Sequence, residues 1–169
     1  MDDEAQRLAV QVLDACRERG LMVATAESCT GGLVAAALTA IPGSSTVVER
    51  GFVTYTNEAK IEMLGVRAAM IDAVGAVSPE TAEAMAWGAL TNSRAQIAVS
   101  VTGIAGPGGA TETKPVGLVH FAAASEDGRL ARREERFGDI GRDEVRRRSV
   151  IVALHLLLLM ASEQKPQQG

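Results

Sequence analysis

Three stretches carry residue types that could do chemistry. The first is Thr25-Ala26-Glu27-Ser28-Cys29-Thr30-Gly31-Gly32, which joins a short apolar segment to one rich in Ala and Leu. It reads as the turn from a strand into a helix. At a helix start, backbone N–H groups lack partners and the dipole end is positive, which suits an anion or a developing oxyanion. Ser28 is a candidate nucleophile there, although Ser28 and Thr30 would also serve simply as turn and cap residues, and the window lacks the glycines of a GxSxG elbow. The second stretch is Val99-Ser100-Val101-Thr102-Gly103-Ile104-Ala105-Gly106-Pro107-Gly108-Gly109. Its glycines allow backbone amides close to a ligand or simply make a flexible loop. No Gly-Lys-Ser/Thr closes it as a P-loop, and a strand is expected after it, which excludes a dinucleotide fingerprint.

The third stretch follows from what could activate a serine. The chain has two histidines, His120 in an expected strand and His155 in an apolar run, and both read as structural. A Ser-His-Asp triad and a histidine-rich metal site are therefore not expected. Lysine can act as the base when burial lowers its pKa from about 10.4. Of the three lysines, Lys165 is terminal, leaving Lys60 and Lys114. Lys60 ends the run Tyr55-Thr56-Asn57-Glu58-Ala59-Lys60, at a second strand-to-helix junction. Cys29 is the rival nucleophile, or else a small core residue. Seven arginines lie between Arg132 and Arg148 and read mostly as a solvated face. Arg142, placed where its charge opposes a helix dipole, is a candidate for binding phosphate.

The elements that must position these groups follow from pattern. Apolar spacing predicts helices over Asp3–Arg19, Leu33–Ile41, Glu58–Leu64 capped by Asn57, Pro79–Asn92 capped by Ser78, and from Gly141 to Ser162. The inner stripe of the last helix is expected at Val145, Ser149, Val152, Leu156 and Leu159. Strands are expected at Leu21–Ala26, Gly51–Thr56, Gln96–Thr102, Val116–Ala124 and Leu130–Phe137, the last two as a hairpin turning at Glu126-Asp127-Gly128. This order predicts an α/β fold, a three-layer α-β-α sandwich with a mixed, mainly buried sheet. One domain over residues 3–162 is expected, with 163–169 as a disordered tail.

With 169 residues, 47% of them hydrophobic, the chain can bury a full core. A net charge of −4 and 3% aromatic residues argue against nucleic-acid binding. The longest apolar run, Val150–Met160, falls short of the ~20 residues of a membrane span. Two cysteines without a CxxC pattern and an acidic N-terminus suggest a cytoplasmic protein. The sequence leaves a homo-oligomer open.

Five blocks, Thr25 to Gly32, Gly51 to Lys60, Gly75 to Ser78, Val101 to Gly108 and Lys114 to Val119, resemble in order the CinA C-terminal family of nicotinamide-nucleotide amidohydrolases, over about Ala5 to Leu159. Larger members carry a further N-terminal domain, so this chain resembles the stand-alone form. The resemblance implies hydrolysis of the carboxamide of nicotinamide mononucleotide, a small-molecule substrate, to nicotinate mononucleotide and ammonia, with no cofactor and no metal. It implies Ser28 as nucleophile, Lys60 as base and Tyr55 beside them. Thr102, Gly103, Ile104, Ala105 and Gly106 would form the substrate pocket. Thr30, Gly31, a glycine-loop amide or Arg142 would supply the donors for the phosphate, and Tyr55 or Phe52 would lie near the pyridinium. Two rival readings are a non-catalytic nucleotide-binding module of a competence or DNA-damage response, and an amidase using Cys29.

Overall fold

The computed structural model describes residues 2–162, so the tail expected at 163–169 lies outside the described residues. Helix α1 (Asp3–Arg19) is capped by the Asp2 carboxylate and stopped by Gly20 in the left-handed region, and its apolar stripe from Ala5 to Cys16 is buried. Strand β1 (Val23–Glu27) follows, then α2 (Leu33–Thr39) and a 3₁₀ turn at Ser44–Thr46. Strand β2 (Val48–Val53) leads into α3 (Asn57–Leu64), α4 (Ala68–Val74) and α5 (Pro79–Thr91). Strands β3 (Ile97–Gly103), β4 (Leu118–Ser125) and β5 (Leu130–Arg136) precede α6 (Arg142–Ser162).

The strands form one mixed sheet in the order β2-β1-β3-β4-β5, parallel through β2, β1 and β3 and antiparallel at β4 and β5. Helices cover both faces, as the three-layer expectation requires. Alternation along the strands separates the faces. Val23, Ile97, Val99, Val101, Val119 and Phe121 face α1, α2 and α6 in the main core. The opposite face is built from Ala24, Ala26, Ala98, Ala122 and Ala124 against α5. This face is short of bulk, so α5 lies close to the sheet, and the Ser100 hydroxyl donates directly to the Ala82 carbonyl of α5. Helix α3 in turn crosses α5 at Gly88, where a Cβ would stand 2.0 Å from the Leu64 carbonyl oxygen. Among the described residues, no helix is long and apolar enough to cross a membrane.

Several expectations are corrected. Strand β2 begins and ends three residues before the expected Gly51–Thr56: Thr54 still donates its N–H to the Glu27 carbonyl of β1 at 2.7 Å, and Tyr55 and Thr56 then turn away to enter α3. Thr56, not Asn57, caps α3, its hydroxyl accepting from the Ala59 N–H at 3.0 Å. Helix α4 is unforeseen: Ile71 is its one buried residue, so it shows no apolar stripe. Helix α2 ends at Thr39 rather than Ile41. On α6, Leu159 is 40% exposed and Met160 faces the core instead.

The crossing at Gly88 is a backbone contact that no rotamer change can relieve. Gly88→Ala is expected to destabilise the protein by about 1–3 kcal/mol through overpacking. In a thermal melt this reads as a loss of roughly 2–4 °C per kcal/mol; an unchanged melting temperature would show that α3 does not depend on this approach.

Candidate active site

The parallel strands set up the site. From β1 the chain crosses one face of the sheet through α2 to β2, then returns across the other face through α3, α4 and α5 to β3. The two crossovers diverge at the carboxyl end of β1, where open α/β sheets bind ligands. Ser28 directly follows β1, Thr54 and Tyr55 follow β2, and Thr102 and Gly103 end β3. A cavity of about 250 Å³ opens among these ends.

Ser28 is held by its backbone, whose N–H donates to the Val101 carbonyl at 3.0 Å. Its neighbour Glu27 is almost wholly buried. The Glu27 carboxylate accepts from the Thr30 hydroxyl at 2.6 Å and from the N–H groups of Val34 and Ala35 at 2.9 and 3.1 Å. It thereby caps α2, whose N-cap residue Gly32 has no side chain to do so. From α6, Arg146 donates to the carbonyls of Cys29 and Thr30, fixing the turn from the other side.

Lys60, on the first turn of α3, is 1% exposed. Its Nζ lies 3.0 Å from Ser28 Oγ, 2.7 Å from the Thr54 carbonyl and 3.5 Å from the Tyr55 carbonyl. No carboxylate pairs with it among the described residues. Burial penalises the ammonium and pulls the Lys60 pKa down to about 8. Burial acts in the opposite sense on Cys29, whose thiol is pushed up to about 11. At neutral pH the pocket therefore holds a serine beside an amine that deprotonates easily, and next to them a thiol that does not.

The structure brings Ser28, Lys60, Tyr55, Thr102, Gly103, Ile104, Ala105, Gly106 and Arg142 to this one cavity. Tyr55 sits at the rim, 58% exposed, and its hydroxyl accepts from Arg142 at 2.7 Å rather than touching Ser28 or Lys60. Arg142 also donates to the Gly106 carbonyl at 2.9 Å, so it spans the mouth. The Ile104 N–H is spent on the Leu118 carbonyl, whereas those of Ala105 and Gly106 make no hydrogen bond among the described residues. Thr102 directs its hydroxyl to the Ala76 carbonyl at 2.8 Å.

Thr30 and Gly31 do not line the cavity. The Thr30 hydroxyl is committed to Glu27, and Gly31 lies against Arg146. Phe52 is likewise absent from the cavity, packed in the core beneath α5. His120 is buried beside Glu134 on β5, and burial lowers its pKa; His155 is exposed on α6, and neither lines the cavity. Residues not foreseen are Glu27, Arg146, Ala76, Val77 and Asn57. The acid just before the serine was a legible signal for Glu27, and Ala76 and Val77 fall within a block whose pattern stood out without suggesting a role. A larger hollow of about 460 Å³ between α1, α2 and α6 is lined by small and aliphatic side chains, by Asp143 and Arg146, and by the paired Asp2 and Arg147. It holds no nucleophile with a base beside it. Among the described residues, no group of three or more His, Cys, Asp or Glu is placed to hold a metal ion.

Residues 5–161 match the CinA C-terminal domain. The chain is 52% identical over 157 residues to the nicotinamide-nucleotide amidohydrolase PncC of Escherichia coli K12, covering 92% of this chain and 94% of that protein. A CinA-like protein of Mycobacterium marinum is 55% identical over 141 residues, 83% of this chain but 33% of that longer protein. Among solved structures, the competence/damage inducible protein CihA of Agrobacterium tumefaciens superimposes with a TM-score of 0.94 at 53% identity, covering 96% of this chain and 98% of that one. With the match running from α1 to the end of α6, this chain belongs to the CinA C-terminal domain family.

Proposed function

We propose that this protein is an amidohydrolase that removes the carboxamide nitrogen of nicotinamide mononucleotide as ammonia and leaves nicotinate mononucleotide. The observation that carries this reading is the 3.0 Å approach of Lys60 Nζ to Ser28 Oγ inside a buried pocket. The name of the Escherichia coli relative supports the substrate. A neutral amine has two N–H groups and one lone pair. The carbonyls of Thr54 and Tyr55 take the N–H groups, which leaves the lone pair for the Ser28 hydroxyl.

Lys60 takes the Ser28 proton as Oγ attacks the amide carbon. The oxyanion of the tetrahedral intermediate is held by the N–H after Ser28 and by that of Ala105. The intermediate collapses, Lys60 returns the proton to the leaving nitrogen, and ammonia departs. Water then attacks the acyl carbon as Lys60 takes its proton, and Lys60 passes that proton to Ser28 Oγ as the C–O bond to the serine breaks and the acid leaves. Arg142 and the glycine-loop amides are the donors for the substrate phosphate. Two free, buried thiols suit a reducing cytoplasm.

Ammonia release from nicotinamide mononucleotide by the purified protein is the direct test; binding without turnover would favour a nucleotide-binding module instead. Ser28→Ala is expected to abolish turnover while circular dichroism stays native, and Cys29→Ala to retain it. The reverse pattern would make the thiol the nucleophile.

Because the base must be neutral, kcat/KM is expected to fall as pH drops through about 8, where Lys60 takes up its proton, and to level off above. Lys60→Ala should cost roughly 10²–10⁴-fold in kcat; a near-normal rate would place the base elsewhere.

Nicotinamide riboside, lacking the phosphate, should be the far poorer substrate in kcat/KM. Arg142→Ala should weaken the mononucleotide by roughly ten- to a hundredfold and leave the riboside nearly unchanged. Equal wild-type kcat/KM for the two substrates would remove the phosphate site from this reading.

A further inference from the structure

The cavity has two walls that belong to distant parts of the chain. One is the link between α4 and α5, where Ala76 and Val77 face the cavity; the other is the glycine loop after β3, with Gly106, Gly108 and Gly109. The α4–α5 link makes no sheet ladder, and side chains hold its carbonyls. Thr102 Oγ1 donates to Ala76, Ser78 Oγ and Thr81 Oγ1 donate to Gly75, and Lys114 Nζ donates to Val74 at 2.7 Å. Val74 is the last residue of α4, so its carbonyl has no partner further along the helix, and a cation suits that dipole end.

Lys114 comes from the far limb of the glycine loop. There it is fixed by a turn in which the Thr111 N–H donates to the Lys114 carbonyl at 2.9 Å and the Lys114 N–H donates to Thr111 Oγ1 at 3.1 Å. The ammonium reaches Val74 across Gly75, where a Cβ would stand 2.6 Å from Nζ. Lys114 does not line the cavity and pairs with no carboxylate among the described residues, so its charge is spent on joining the two walls.

We propose that Lys114 is a positioning residue that clamps the α4–α5 link to the glycine loop and so sets the width of the substrate cavity. It acts on binding: Ser28 and Lys60 hang on β1 and α3, which the clamp does not touch, and Ala105 follows Ile104, which is held at both its N–H and its carbonyl by Leu118 and Gly117. The proposal rests on the amide-hydrolysis reading for its kinetic effect but not for its structural one.

The test uses the full chain with Lys114→Met, which keeps the stem and removes the donor, and Lys114→Arg, which restores a donor. Without substrate, hydrogen exchange in Lys114→Met should quicken together in residues 74–81 and 109–117, while the Ser28 turn keeps its wild-type rate. Unchanged exchange in residues 74–81 would overturn the clamp. With nicotinamide mononucleotide, KM should rise roughly tenfold, about the scale of one charged hydrogen bond. The kcat and the pH limb near 8 set by Lys60 should stay as in wild type. Lys114→Arg should recover most of the KM. A fall in kcat at constant KM would make Lys114 part of the chemistry and overturn the proposal. If the wild type releases no ammonia, the amidase reading falls, and the exchange result alone still decides the clamp.

Discussion

The structure turns on one costly placement: a lysine side chain almost wholly buried next to a serine hydroxyl, with backbone carbonyls as its other partners. Leaving water penalises an ammonium heavily unless its donors are met. The surroundings meet them with fixed atoms. The carbonyls of Thr54 and Tyr55 face the amine because β2 ends at Val53 and the chain turns there into α3. The cap by Thr56 and the stop at Gly65 hold the short helix whose first turn carries Lys60. The serine is fixed as firmly, by the β3 ladder through Val101 and by Glu27 and Arg146 across the turn.

That placement depends in turn on a sheet face made of alanines. Had β1, β3 and β4 carried larger side chains opposite α5, that helix would stand further off. Helix α3, seated on α5 at Gly88, would move with it and carry Lys60 away from Ser28. The bulky residues are instead on the other face, where α1 and α6 provide the main core. One face of the sheet therefore supplies most of the stability, and the other sets the fine spacing of the reacting groups.

How much of this was legible in the sequence differs by the range of the forces involved. Ser28 and Lys60 were readable because strand-to-helix junctions and the lack of a suitable histidine are local facts. The long helices and the β4–β5 hairpin were readable for the same reason. The expected end of strand β2 lies too late because β propensity continues through Thr54-Tyr55-Thr56, past the end of its ladder at Val53, where the Thr54 and Tyr55 carbonyls are turned to an amine instead. Helix α4 escaped notice because it buries one side chain and is held by neighbours remote in sequence. The roles of Arg142 and Arg146 could not be told from their five surrounding arginines. Several of those five pair with nearby acids at the surface, while Arg142 and Arg146 reach loops more than 30 residues away.

The two buried polar side chains at this site, Glu27 and Lys60, show how partner type decides chemistry. Glu27 meets the N–H groups that open α2 and a hydroxyl, all of them donors, so its two oxygens are spent on holding the turn. Lys60 meets neutral carbonyls, which accept from an amine and an ammonium alike. They satisfy its N–H groups without supplying the full negative charge that would hold the proton on. A carboxylate in place of the Thr54 carbonyl would keep the lysine charged and useless as a base. With neutral acceptors the burial penalty prevails, and the pKa settles near 8, close enough to neutrality for proton transfer in both directions. A histidine reaches that range unaided; here a lysine is brought there by burial among backbone atoms, which a side-chain substitution cannot remove.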